Sequence, residues 1–134
     1  MNPRIVSALG LAAIILGVSA SAAYGRRLGL IDPDLTDRIV QVVIGLVLAG
    51  YANLMPKHLG RPRGAPRAEA TAQSVRRVGG LAMTLGGLAW AAIWAFAPMS
   101  LTVPLAITAV ASATLVTLGY GLWAWRRNGR AENV

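Results

Sequence analysis

Few side chains in this sequence could carry out chemistry, and their spacing does not assemble a reaction centre. The chain has no cysteine and one histidine, His58, which lies at the edge of an apolar stretch. Two glutamates that could share general acid–base work, Glu69 and Glu132, are far apart in the sequence. Nucleophilic catalysis needs a base oriented beside the nucleophile, and no such pair is present. We therefore expect no enzyme activity, no catalytic residues, no metal site and no cofactor.

Two amides are the strongest polar groups inside the apolar segments. Gln41 and Asn53 are flanked by aliphatic residues, and Asp, Glu, Lys and Arg are absent from the stretches 5–25, 39–56, 78–97 and 101–125. Ion and proton pathways usually place charged residues inside the membrane. In a bilayer the two amides would donate hydrogen bonds between helices or face the interface. The alternative is that they bind a ligand or a peptide within the helices.

These amides must be positioned by long apolar elements. From Val78 to Trp125 the chain has no charged residue, and its two prolines in that stretch, Pro98 and Pro104, lie near the middle. A helix needs about 20 apolar residues to cross a bilayer, so this stretch supplies two crossings with a turn near 98–104. The complete set of predicted spans is 5–25, 37–55, 78–97 and 101–125. Hydrocarbon cannot satisfy open backbone groups, so each span is predicted to be helical.

The predicted fold is therefore all-α, a four-helix transmembrane bundle in a single integral membrane domain. Its composition, 55% hydrophobic and 13% charged, departs from the roughly 25% charged residues of soluble domains. The first span also resembles a signal peptide, with Ala20-Ser21-Ala22 similar to a cleavage site. Its apolar run is longer than the core of a signal peptide usually is, which favours a retained first helix.

Local signals predict where the helices begin and end. Asp32-Pro33-Asp34 is a turn signal, and either Asp34 or Thr36 is expected to cap the second helix. The third helix is expected to begin near Pro66, outside the membrane. The tail 126–134 is short and polar, and it is expected to fray.

The distribution of positive charge predicts orientation. The net charge is +8, and basic residues flank the apolar segments without interleaved aromatic residues, so we do not expect nucleic-acid binding. With four spans, both termini and the loop 56–77 share one side, which holds most of the 13 Lys and Arg residues. Both termini and this loop are therefore predicted to be cytoplasmic, in a bacterial inner (plasma) membrane.

The basic loop has two interpretations. Its simplest role is to anchor the topology, and the other is to contact anionic lipid headgroups or a partner. The predicted lipid-facing cluster consists of Lys57, Arg61, Arg63, Arg67, Arg76 and Arg77.

Small residues recur at four-residue steps along every span. Such stripes let helix backbones approach closely in lipid, and we expect most of them to pack inside the bundle, with a minority serving a homo-oligomer or a protein partner. The stripes are Ala13, Gly17 and Ser21; Gly45, Ala49 and Asn53; Gly87, Ala91 and Ala95; and Ala109, Ala113, Thr117 and Gly121. Gly79-Gly80 and Gly86-Gly87 are likewise predicted to be close-packing sites.

Two segments resemble the SdpI-like family of membrane proteins, which includes toxin-immunity factors. The family has a Gly-Asn-x-x-Pro-Lys element where one helix ends, and segment 52–57 matches it except that Ala52 replaces Gly. A second family element, Trp-x-x-Thr-x-Arg-x-Gly-Gly, enters the next helix. Segment 72–80 keeps its Arg and glycines but has Ala72 for the Trp and Val75 for the Thr. The carried-over positions are Asn53, Pro56, Lys57, Arg77 and Gly80.

The resemblance implies a non-enzymatic immunity or signalling protein that binds a membrane-active peptide or protein. We add Gln41 to the candidate binding residues because it is polar and lies within a span. Two alternatives stay open: an accessory subunit of a larger membrane complex, and a small oligomeric transporter or channel.

Overall fold

The structure is a computed structural model that describes residues 3–54 and 66–131, with side chains described for 5–54 and 69–127. It contains four helices: α1 Pro3–Arg27, α2 Pro33–Leu54, α3 Pro66–Phe96 and α4 Met99–Ala131. All four are long and apolar enough to cross a membrane. The predicted all-α fold of four transmembrane helices is confirmed, and the chain is an integral membrane protein.

The helices pack in chain order. Helix α3 contacts α2 on one side and α4 on the other, and α1 makes a smaller contact with α2. Across the described ranges no other pair of helices packs to a comparable extent. The bundle is therefore open, with α3 at its centre and α1 at its edge.

Helix α1 ends in a tight glycine turn. The backbone N–H of Leu30 donates to the Gly25 carbonyl at 3.0 Å, and that of Gly29 donates to Arg26 at 3.1 Å. This pattern requires a left-handed residue after the helix, and Gly29 supplies it with a φ of 70°. The turn lets the chain reverse direction within a few residues.

Helix α2 begins at Pro33, before the predicted span of 37–55. The sequence also predicted Asp34 or Thr36 as its cap, and that prediction was wrong. The Asp32 side chain accepts a hydrogen bond from the Leu35 N–H at 2.9 Å, so Asp32 is the cap. Pro33 then occupies the first helical position, where its fixed φ is suitable and its missing N–H costs nothing.

The α3–α4 connection is shorter than the predicted turn over 98–104. Only Ala97 and Pro98 separate the helices, and the Pro98 carbonyl accepts bonds from Leu101 and Thr102 at 2.9 and 3.1 Å. Pro104 lies within α4, in its second turn. Because proline has no N–H, the carbonyl of Ser100 has no helical donor four residues later, and Ser100 is exposed.

The first turns of α3 and the last turns of α4 extend beyond the predicted apolar spans. Helix α3 begins at Pro66, as predicted. Helix α4 continues to Ala131, so it includes most of the tail 126–134, and whether this end frays stays a prediction. Arginines in the last turns favour this extension because they interact well with the negative end of the helix dipole.

The interior consists of small residues, while large apolar side chains cover the outside. Among the side chains described, in 5–54 and 69–127, seven of the eight buried hydrophobic residues are alanines, and Trp94 is the eighth. Large side chains such as Leu16, Leu115 and Phe96 are 68%, 69% and 87% exposed. A surface this apolar would be a liability in water, and it suits helices whose outer faces contact lipid tails.

Candidate functional site

The α2–α3 seam is built on four small residues. A Cβ added to Gly45 would lie 2.8 Å from the backbone nitrogen of Ala91 and from the Gly87 carbonyl oxygen. A Cβ added to Gly87 would lie 2.8 Å from the backbone nitrogen of Ala49. The two small-residue stripes therefore pack directly against each other, as the sequence predicted. Their last members, Asn53 and Ala95, are exposed and lie outside the contact.

The α3–α4 seam uses a second set of glycines on α3. A Cβ on Gly86 would lie 2.8 Å from the Ala113 Cβ, and one on Gly79 would lie 2.9 Å from the Thr117 methyl group. The stripe on α4 is thereby confirmed as a packing face, and Gly79, Gly86 and Gly87 of α3 are confirmed as close-packing sites. In the second pair Gly86 faces α4 and Gly87 faces α2, so α3 can contact the two helices on different sides.

The small-residue stripe of α1 faces away from the other helices. Ala13, Gly17 and Ser21 are exposed, and nothing lies within 4 Å of a Cβ added to Gly10 or Gly17. This stripe therefore does not pack inside the bundle, and it falls in the minority that the sequence analysis left outside it. The reason is that α1 buries a different side, which includes Ala22.

The two candidate amides lie far apart on α2, Gln41 near its middle and Asn53 near its end. Gln41 is partly buried one turn before Gly45, whereas Asn53 is exposed near the end of the helix. Twelve residues separate them, which corresponds to about 18 Å along a helix. They therefore do not form one site.

Three of the positions carried over from the resemblance share one end of the α2–α3 pair. The Thr84 hydroxyl donates to the Gly80 carbonyl at 2.7 Å and lies 3.4 Å from that of Ala49. Asn53 lies one turn after Ala49 on α2, and Gly80 lies one turn before Thr84 on α3. Because the two helices are antiparallel, Asn53 and Gly80 lie at the same height along the helix pair. Gly80 is buried, and Arg77 is exposed one turn beyond it.

The loop that joins these helices includes several predicted site residues. Pro56, Lys57, Arg61 and Arg63 lie outside the described residues, as does the side chain of Arg67. Of the predicted basic cluster, Arg76 and Arg77 are described, and both side chains are exposed on α3.

Arg38 has a role that the sequence did not reveal. Its two terminal guanidinium nitrogens each donate at 2.8 Å, one to the Trp94 carbonyl and one to that of Ala97. The Trp94 carbonyl lies in the last turn of α3, where carbonyls lack partners within the helix, and Ala97 directly follows that helix. The available sequence signal is a basic residue directly before the charge-free stretch that starts at Ile39.

Two tryptophans lie beside this arginine. The rings of Trp90 and Trp94 are 6.4 Å apart, and the Cδ1 atom of Trp90 would be 2.9 Å from a Cβ on Gly45. Within the described part of the chain, neither indole N–H has an acceptor, although both nitrogens are buried.

A cleft lies between the first turns of α3 and the last turns of α4. The Tyr120 hydroxyl donates to the Ser74 oxygen at 3.3 Å, and the guanidinium of Arg127 lies 5.4 Å from the centre of the Trp123 ring. Sequence reasoning missed this group. The four-residue spacing of Trp123 and Arg127 on a helix was the signal that could have found it.

Comparison of the chain with protein-family models, curated proteins and solved structures finds no match. The resemblance to the SdpI-like family therefore stays a prediction that depends on segments 52–57 and 72–80.

The described residues offer binding chemistry of three kinds. The seams bring backbones into contact, the open face of α1 presents small side chains, and the cleft combines a cation with hydroxyl groups. No group of three or more His, Cys, Asp or Glu residues in ranges 3–54 and 66–131 could hold a metal ion.

Proposed function

We propose that this chain is a non-enzymatic inner-membrane protein that binds a membrane-active peptide or another membrane protein. It would act as the SdpI-like resemblance implies, by engaging the partner through its transmembrane helices. The observation that carries the proposal is the open small-residue face of α1.

Burial differs sharply between the helices. Only 6% of the most apolar stretch of α1 is buried, against 33% for α3. Helix α1 is therefore held by one neighbour, and most of its surface is available for contact with lipid or with another helix.

The open face of α1 is chemically like the face that α2 uses. At Gly45 the absence of a side chain lets α3 approach to backbone contact. Gly10 and Gly17 likewise have no side chain, and no atom lies within 4 Å of a Cβ added to either of them. Because helix association in lipid depends on close packing, an incoming helix would gain most at such a surface.

The polar end of the α2–α3 pair supports the same proposal. Asn53, Gly80 and Arg77 lie at one end of these helices, on either side of the basic loop. This is the arrangement that the resemblance implies, in which the loop and the residues that frame it recognise a partner near the membrane surface.

Protection of cells from helical pore-forming peptides tests this function. Cells that produce the chain would be challenged with a panel of such peptides, and membrane depolarisation and survival would be measured. We expect protection against at least one peptide, and we expect Gly17→Leu to remove it. Gly119→Leu is the matched control, because Gly119 on α4 also has nothing within 4 Å.

The alternatives give different results. Equal protection by the Gly17→Leu and Gly119→Leu chains would contradict a role for the α1 face. No protection against any peptide, together with stable co-purification in a larger complex, would favour an accessory subunit. Flux into liposomes that Gln41→Leu abolishes would favour a transporter.

A further inference from the structure

The cleft between α3 and α4 lies where these helices leave the apolar part of the membrane. Its volume is about 340 Å³, and its walls include Thr71 and Ser74 from α3 and Trp123 from α4. Val78 begins the charge-free stretch of α3, and Trp125 ends that of α4. The cleft therefore lies at the depth of the lipid headgroups.

The size of the cleft restricts what it can hold. Pockets for small molecules usually have volumes of about 300–1,000 Å³, so this one is at the lower end. It has room for a headgroup and is too small for a folded peptide.

The charge around the cleft favours an anion. Segments 66–77 and 120–131 hold one acidic residue, Glu69. The same segments hold six arginines: Arg67, Arg76, Arg77, Arg126, Arg127 and Arg130. Arg127 is the one that lines the cleft, and its stacking on Trp123 holds the guanidinium at the rim.

Hydroxyl groups form the opposite wall. Ser74 donates to the Thr71 carbonyl at 3.0 Å and accepts from the Tyr120 hydroxyl at 3.3 Å. The second distance is long for a bond between hydroxyl groups, so the Tyr120 hydrogen is available to a stronger acceptor. A phosphate oxygen is such an acceptor, and it pairs well with a guanidinium.

We infer that this cleft binds the phosphate group of an anionic phospholipid headgroup. Arg127 is the cationic partner, Tyr120 donates a hydrogen bond, and Trp123 positions the guanidinium. The site differs from the basic loop, because it is formed by two helices and selects a headgroup by shape as well as by charge.

Native mass spectrometry of the full chain in mild detergent tests the site. The protein would be titrated with phosphatidylglycerol and, in parallel, with zwitterionic phosphatidylcholine. We expect tighter binding of phosphatidylglycerol, and a loss of about fivefold in its affinity on Arg127→Gln. Tyr120→Phe should also weaken binding, and circular dichroism would verify that each variant is folded.

Arg126→Gln is the matched control, since it removes the same charge from the adjacent position and Arg126 does not line the cleft. Its effect should stay within about twofold, as expected for an exposed charge. Equal losses for Arg126→Gln and Arg127→Gln would overturn the proposal.

Soluble glycerol phosphate that binds as tightly as the lipid would also overturn it, because the ligand would then be a free phosphate. Gly17→Leu should leave lipid binding unchanged, so this site and the proposed function can fail separately.

Discussion

Gly45 and Gly87 meet backbone to backbone, so that a Cβ on either residue would lie 2.8 Å from the carbonyl oxygen of the other. The atoms in contact belong to two helix backbones, which cannot turn aside as a flexible side chain can. The separation of α2 and α3 is therefore set by the absence of side chains at these two positions.

Adding a methyl group at this contact should force the helices apart. We expect Gly45→Ala or Gly87→Ala to lower the free energy of unfolding by about 1–3 kcal/mol, as overpacking does elsewhere. Unfolding in detergent followed by circular dichroism would measure it. Gly50→Ala is the control on the same helix, because Gly50 has open space around it. That change should be neutral or stabilise by up to about 1 kcal/mol through helix propensity. A Gly45→Ala protein as stable as Gly50→Ala would contradict the close contact.

Removing the guanidinium of Arg38 should destabilise the C-terminal end of α3. Arg38→Gln loses two hydrogen bonds to the carbonyls of Trp94 and Ala97, and we expect a cost of about 2 kcal/mol. Hydrogen exchange should also speed up around the α3–α4 turn. Arg27→Gln removes an equal charge from an exposed site at the end of α1. If both variants unfold alike, the capping role of Arg38 is wrong.

The start of α2 depends on one carboxylate. Asp32→Ala should cost about 1 kcal/mol, because the Leu35 N–H loses its acceptor. Asp32→Asn should restore most of the stability, since asparagine caps a helix about as well. Amide exchange at Leu35 provides the measurement, and slow exchange in the alanine variant would show that another group caps the helix.

Charge distribution predicts which side of the membrane each segment faces, and the absence of cysteine makes this simple to test. A cysteine at Ala72, which is exposed near the start of α3, should resist an impermeant thiol reagent added outside intact cells. A cysteine at Asp34, at the other end of the bundle, should react. The reverse pattern would show that both termini face outward.

The positions of the four helices can be predicted from the sequence because lipid restricts the backbone of a spanning segment to a helix. An apolar run without charge must satisfy its own backbone, so α3 could be traced from Pro66 into the membrane. The glycine pairs of α3 were also readable as packing sites, but the sequence alone did not show that Gly79 and Gly86 face α4 while Gly87 faces α2.

The cap of α2, the orientation of the α1 stripe and the partners of Arg38 and Tyr120 depend on how separate segments pack, and the local sequence of one segment does not determine this. The cap at Asp32 competes with Asp34 and Thr36, and only the geometry of the preceding turn decides between them. Whether the α1 stripe faces inward depends on which side of α1 meets α2. The partners of Arg38 and of Tyr120 lie 56 and 46 residues away in the chain, and local spacing cannot reveal them.

The extensive helix contacts described above all join helices that are consecutive in the chain, and this has a consequence for biosynthesis. Within 3–54 and 66–131 no contact of comparable extent joins helices that are distant in the chain, so each helix can meet its main partner as soon as the neighbouring helix has been synthesised. Folding of this kind has low contact order and is expected to be fast. Assembly can therefore follow translation, with the α2–α3 hairpin forming before α4 has left the ribosome.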